Sequence, residues 1–300
     1  MTGLAAFGRL LRDMAISAAA VIGLSGAPAL AQPAMWAVRD ADSTLYMLGT
    51  VHLLRPETQW RTATLEKAIA EAEELWLELP TTDAAAMAVE MMPLVARYGL
   101  SPGKRLSDVL TREEMKTLDE AAKLAGLSAS QINMFRPWFA ALTISNAAVM
   151  RAGYDPLSGV DSKIEALFLE RGIKPKGLET AELQIRVFAG MTPEQELRYL
   201  RETMEEYGDA PIELDAMVDQ WARADLPALE AMFVSEMKTE EPDLYAALLT
   251  NRNASWVSQI EGILAGKGVS FMAVGAGHLI GPDSVIAMLE ARGVIAERVQ

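Results

Sequence analysis

Strand-forming residues sit almost entirely at the two ends of this chain, so no sheet can be completed until the last residues are in place. Residues 35–39 (MWAVR) and 44–48 (TLYML) are short β-type runs separated by the turn-forming stretch 40–43 (DADS), and they read as a hairpin. Helical spacing follows through Trp60, Leu65, Ala68, Ile69 and Ala72, and residues 74–79 (ELWLEL) then return to period two before Pro80 stops them. Strand, helix, strand is a βαβ unit. At the far end, 269–274 (VSFMAV) is a buried-strand run, 284–292 is helical in pattern and 294–299 reads as a final strand.

The middle is helical. The pattern predicts helices over 83–98 with a kink at Pro93, 111–125, 128–151 with a break before Pro137, 160–171, 181–189, 193–208, 212–223, 227–237 and 242–265. Start signals are Asp83, Thr111 with Glu114 in capping-box spacing, and Ser128. Only 174–179 (KPKGLE) interrupts them as a short strand. No linker of Gly, Ser and Pro isolates these helices. The expectation is one α/β domain over 32–300, with a central mixed β-sheet built from the N- and C-terminal parts and a large helical insertion over about 83–265. The Met-rich segment 84–92 could line a substrate groove, but ordinary helix packing is the preferred reading.

Residues 1–31 read as a secretory signal peptide: Arg9 and Arg12 before an apolar stretch over 14–24, then the small-x-small site Ala29-Leu30-Ala31. That stretch is interrupted by Gly23, Ser25, Gly26 and Pro28, short of the ~20 apolar residues that span a bilayer. No later segment has spanning length, and with no cysteine the exported product is expected to be periplasmic or secreted without disulfides. A net charge of −14 argues against nucleic acid as a partner.

The two histidines of the chain share one frame: 49–57 reads GTVHLLRPE and 275–283 reads GAGHLIGPD. Each follows an apolar strand, at the edge of an α/β sheet where ligands bind. Gly49 and Gly275, three residues before His52 and His278, let the backbone turn or a group approach closely. At ~7% glycine, that double coincidence has odds of about half a per cent. Histidine is the commonest metal ligand and proton carrier, so both are candidate site residues. Carboxylates at neighbouring strand ends would complete a site: Glu78 in the strand before Pro80, and Glu179 in Gly177-Leu-Glu-Thr180 before a helix. Asp161 could orient a ligand, although capping the helix that follows is the plainer reading.

Together with Asn251-Arg-Asn253 before an amphipathic helix, these motifs resemble the TraB/PrgY/GumN family, which includes the Tiki proteins, over roughly 36–299. The resemblance implies a fold similar to the ChaN-like and erythromycin-esterase-like proteins and, for the Tiki branch, metal-dependent proteolysis. It implies a site at His52, Glu78, His278 and Glu179 with Arg252 and Asn253 near it; within that site the expected metal ligands are His52, His278 and Glu78, the expected catalytic groups are Glu78, Glu179 and Arg252, and the expected substrate contacts are Asn253 and Asp161. The expected cofactor is one divalent ion, for which imidazoles and carboxylates would suit Zn, Mn, Co or Fe. The expected partner is a peptide or protein substrate. Unlike the Tiki proteins, this chain is expected to lack a C-terminal membrane segment. Two rival readings are a non-catalytic periplasmic protein that sequesters a peptide, haem or saccharide, and a structural component of the envelope. No Gly-x-Ser-x-Gly elbow, cysteine nucleophile or phosphate loop is present.

Overall fold

The computed structural model describes residues 31–80 and 84–300; the expected signal peptide, apart from Ala31, and the expected helix start at Asp83 lie outside the described residues. The six strands among them are β1 (Met35–Arg39), β2 (Ser43–Thr50), β3 (Glu74–Leu77), β4 (Lys176–Gly177), β5 (Gly268–Gly275) and β6 (Ala296–Arg298). They form one mixed sheet in the order β4-β3-β5-β2-β1-β6. The hairpin closes because the Asp40 carboxylate accepts the N–H groups of Asp42 and Ser43 at 3.1 and 2.7 Å. The two ends of the chain then meet at β2 and β5, which run parallel with Ser43 opposite Gly268 and Thr50 opposite Gly275.

β5 is the central strand, and Phe271, Met272, Ala273 and Val274 are buried between the layers, as expected of a parallel strand covered on both faces. Each such large side chain contributes roughly 1.5–3 kcal/mol of apolar burial. β3 lies parallel to β5 and to β4, so β4, β3, β5 and β2 all end on the same edge. β4 is shorter than the expected 174–179. Pro175 has no N–H to offer, and beyond Gly177 the chain continues with Leu178 N–H on the Leu77 carbonyl at 2.8 Å and Glu179 N–H on that of Glu78 at 3.1 Å.

The described helices are α1 (Ala63–Glu71), α2 (Ala84–Leu94), α3 (Arg112–Leu124), α4 (Ala129–Ile132), α5 (Pro137–Arg151), α6 (Val160–Glu170), α7 (Ala181–Ala189), α8 (Pro193–Glu206), α9 (Ala210–Ala222), α10 (Leu226–Glu230), α11 (Glu236–Glu240), α12 (Pro242–Tyr245), α13 (Asn251–Leu264) and α14 (Val285–Glu290). Three expected long helices are interrupted by wide π turns, at Val95–Gly99, Ala231–Ser235 and Ala246–Thr250. The first follows Pro93, which removes a helical donor and crowds the preceding turn. The third splits the expected 242–265 helix immediately before Asn251.

One apolar cluster surrounds the sheet, and another joins α3, α4, α5 and α8 through Leu118, Ile132, Ile144 and Leu200. In the Met-rich α2, Met91 and Leu94 pack toward Trp138 whereas Val89 and Met92 are exposed. No helix among the described residues is long and apolar enough to cross a membrane.

Candidate functional site

The common edge of the four parallel strands gathers the residues singled out from the sequence. His52 lies two residues beyond β2, His278 three beyond β5, Glu78 next after β3, and Glu179 two beyond β4. The Glu78 carboxylate occupies the middle. Its Oε1 accepts the Gly275 N–H at 2.6 Å and lies 3.8 Å from His52 Nε2 and 3.9 Å from His278 Nε2. A Cβ on Gly275 would come within 3.1 Å of that oxygen and 3.2 Å of His52 Nε2, so glycine leaves the room in which these two groups approach. Gly49 serves packing instead: its virtual Cβ is 3.1 Å from Ala276 Cα, and its carbonyl accepts Trp221 Nε1–H at 2.8 Å.

The hydrogen bonds fix the orientation of both imidazoles and the tautomer of His278. Asn253 donates Nδ2–H to the Asp283 carbonyl at 2.7 Å, which turns its Oδ1 to His278 Nδ1 at 2.6 Å. An amide oxygen only accepts, so His278 Nδ1 carries a proton and Nε2 presents its lone pair to the site. At His52, Nδ1 lies 3.1 Å from Asp161 Oδ1, so Nδ1–H is the donor and Nε2 faces Glu78. Asp161 therefore orients His52 from the first turn of α6, whose N-cap is Gly159. In each ring a hydrogen bond at Nδ1 fixes the direction of Nε2, the arrangement found behind metal-ligating histidines.

The two rings differ in setting. The His278 side chain is 6% exposed and packs against Trp256, with ring centroids 4.2 Å apart, whereas that of His52 is 55% exposed. Burial, with Arg252 and His52 adding to it against Glu78, pushes His278 down to about 3, so it is neutral. For His52, enclosure of the ring nitrogens works against charge, but the bond to Asp161 and the negative charges of Asp161 and Glu78 prevail and raise it to about 9. Burial would likewise raise Glu78; His278, His52, Arg252 and the Gly275 N–H outweigh it and hold the carboxyl down at about 2.

Arg252 lies among these groups on α13. Its Nη2–H donates to Glu78 Oε2 at 2.5 Å and to Glu179, its Nε–H to both Glu179 oxygens at 3.1 and 3.0 Å, and its Nη1–H groups to the Leu248 carbonyl at 2.9 Å and His278 Nε2 at 3.0 Å. The guanidinium also covers the Trp256 ring at 5.1 Å. Glu179, 3% exposed, is occupied by Arg252 and by Gln184 Nε2–H at 3.0 Å. Asn253 reaches His278, and no contact gives it an opening to a ligand. Trp256, Trp221, Gln184 and Gly159 were not singled out from the sequence. Of these only Trp256 had a signal, four residues after Arg252 on the same helical face.

The donor types suit a divalent ion: two imidazole Nε2 atoms with pinned partners and one carboxylate oxygen. The present arrangement is filled by the guanidinium, and among the described residues no group of three His, Cys, Asp or Glu side chains is disposed to hold a metal. A cavity of about 510 Å³ adjoins Arg252 on its Glu179 side, lined also by Glu182, Asn251, Ser255 and Trp256. Another, of about 590 Å³ near Phe135 and Leu197, has none of the candidate residues in its wall.

An uncharacterized protein of Treponema pallidum (strain Nichols) is 21% identical over 274 residues, covering 87% of this chain and 81% of the relative. No solved structure matches the chain significantly. A profile described as the TraB/PrgY/gumN family matches residues 34–298, which includes both histidine loops, Glu78, Glu179 and Arg252, and the chain belongs to that family.

Proposed function

We propose that this protein is an exported, metal-dependent hydrolase acting on peptide bonds, with its centre at His52, His278 and Glu78. One observation carries the reading: imidazoles from opposite ends of the chain approach the same Glu78 oxygen at 3.8 and 3.9 Å, each with its other nitrogen pinned. The peptide substrate rests on likeness to the Tiki branch. His52 Nε2, His278 Nε2 and Glu78 Oε1 would hold the ion, which when bound supplies Lewis acidity at a carbonyl oxygen.

The rest of the work falls to the chain. Asp161 keeps the proton of His52 on Nδ1, and Asn253 does the same for His278. The Gly275 N–H fixes Glu78 Oε1. Glu179 anchors Arg252 beside the 510 Å³ cavity, and a guanidinium released from His278 would present its Nη1–H to an oxyanion or a substrate carboxylate.

The test is metal analysis of purified protein beside His52→Ala and His278→Ala, with cleavage of a peptide library before and after chelation. Stoichiometric metal lost in both variants, with chelator-sensitive cleavage, is the expected result. Cleavage indifferent to chelation and to both substitutions overturns the proposal; bound metal without any turnover would favour a sequestering protein.

A further inference from the structure

The divalent ion proposed above is not the only cation suited to this site, because Arg252 already meets its donors. In the tautomer fixed by Asn253, His278 has one lone pair, at Nε2, and an Arg252 Nη1–H points at it from 3.0 Å. One lone pair cannot serve both a hydrogen bond and a coordinate bond. Glu78 is divided in the same way: Oε2 receives Arg252, while Oε1 faces the two imidazoles. Full occupancy of His278 by an ion therefore requires that Nη1 move away.

The surroundings provide for that movement. The cavity of about 510 Å³ is lined by Arg252 itself and by Glu179 and Glu182, so a guanidinium displaced into it would retain anionic neighbours. Glu179, which receives Nε–H and Nη2–H, lies on the side of Arg252 that borders this cavity and provides a pivot. The Leu248 carbonyl that holds Nη1 belongs to the π turn Ala246–Thr250, a wide-turn geometry frequent at functional sites.

The geometry points to Arg252 as an internal cation that holds the His278 position in the metal-free protein and is exchanged for a divalent ion when the site loads. The inference rests on the proposed metal centre and adds a competitor to it: the affinity for the ion is set against an arginine. Arg252 is a positioning residue in this scheme. It keeps Glu78, Glu179 and His278 together without metal and turns toward the cavity with metal.

The test is calorimetric titration of metal-stripped protein with Zn²⁺, for wild type, Arg252→Met and His52→Ala, with melting temperatures for the stripped and loaded forms. The methionine variant should bind zinc more tightly, roughly 5- to 150-fold, the usual span of coupling between two ligands. Its stripped form should melt several degrees below wild type, and zinc should raise its melting temperature more than that of wild type. Should Arg252→Met fail to fold, Glu179→Gln loosens the guanidinium without touching the imidazoles and should also tighten zinc.

Binding that His52→Ala abolishes but that is equal or weaker in the folded variant overturns the exchange and leaves the metal centre standing. No uptake by wild type or by either variant overturns both.

Discussion

Replacing Gly159 by alanine separates two effects of opposite sign. The residue sits at φ −54° and ψ 148°, a conformation open to any amino acid, so chain entropy alone favours alanine by about 0.4–1 kcal/mol. Space argues the other way. The new Cβ would lie 2.2 Å from the His52 carbonyl oxygen, 2.8 Å from its carbon and 3.1 Å from the Pro156 oxygen, where ordinary contact begins at 3.4 Å. The carbonyl would have to retreat by roughly an ångström, against backbone bonds at 3.0 Å on either side, Val160 N–H to Val51 and Asp155 N–H to Leu54.

Overpacking of this kind costs about 1–3 kcal/mol and each loosened hydrogen bond about 0.5–1.5 kcal/mol, so the contact outweighs the entropy by about 2 kcal/mol. Urea unfolding should show a lower midpoint with an unchanged slope. Gly262 in α13 provides the opposite control, since its virtual Cβ meets nothing within 4 Å, and alanine there should stabilise by about 0.5–1 kcal/mol. A Gly159→Ala midpoint at or above wild type would refute the reasoning, because only the crowding at His52 gives the substitution its negative sign.

Gly275→Ala should behave differently, because the groups it meets at 3.1 and 3.2 Å are side-chain atoms of Glu78 and the half-exposed His52; stability should change by less than about 1 kcal/mol. Zinc uptake should nonetheless disappear in calorimetry, and retained uptake would contradict the placement of the site. In metal-stripped protein, the pairing of His52 with Asp161 raises its pKa from 6.5 to about 9, so the stabilisation is fully present below pH 6.5 and is lost as pH rises through 9. Asp161→Asn should flatten that part of the stability–pH curve, measured by urea midpoints at successive pH values; an unchanged slope would argue against the pair. Far from the site, Arg136→Met leaves the buried Glu196 carboxylate, 4% exposed, without its guanidinium and removes donors from the carbonyls of Tyr98 and Ala189. The expected loss is about 3–5 kcal/mol in chemical denaturation, and a loss under about 1 kcal/mol would show the pair to be dispensable.

How much of this was legible in the sequence depended on the range of the forces involved. The hairpin, β5 and the helices 112–124, 160–170 and 181–189 follow from local patterns, because apolar period and capping residues act over a few neighbours. The π turns were not legible: 231–235 and 246–250 contain no glycine or proline to mark a break in the helical pattern. β4 was over-read for a related reason. Its strand character extends only as far as β3 offers partners at Trp76 and Leu77.

The site itself was legible as a set of residues but not as a set of contacts, and the distinction has a physical cause. Parallel pairing fixes register, so once Thr50 stands opposite Gly275 and Leu77 opposite Ala273, His52, His278 and Glu78 must leave the sheet at nearly one level. A Gly-x-x-His after each apolar run is enough to suggest that outcome. What no local pattern states is which carboxylate meets both the imidazoles and the arginine and which meets the arginine alone. Glu78 and Glu179 both follow strand residues, and their different fates come from α13, which brings Arg252 between Glu179 and His278. In the sequence Asn251-Arg-Asn253 is one motif. In the fold its last two members act in opposite senses on one ring, Asn253 holding Nδ1 so that Nε2 faces the site and Arg252 covering that same Nε2. That antagonism makes the guanidinium, rather than either glutamate, the group on which the chemistry of the metal-free and loaded states would diverge.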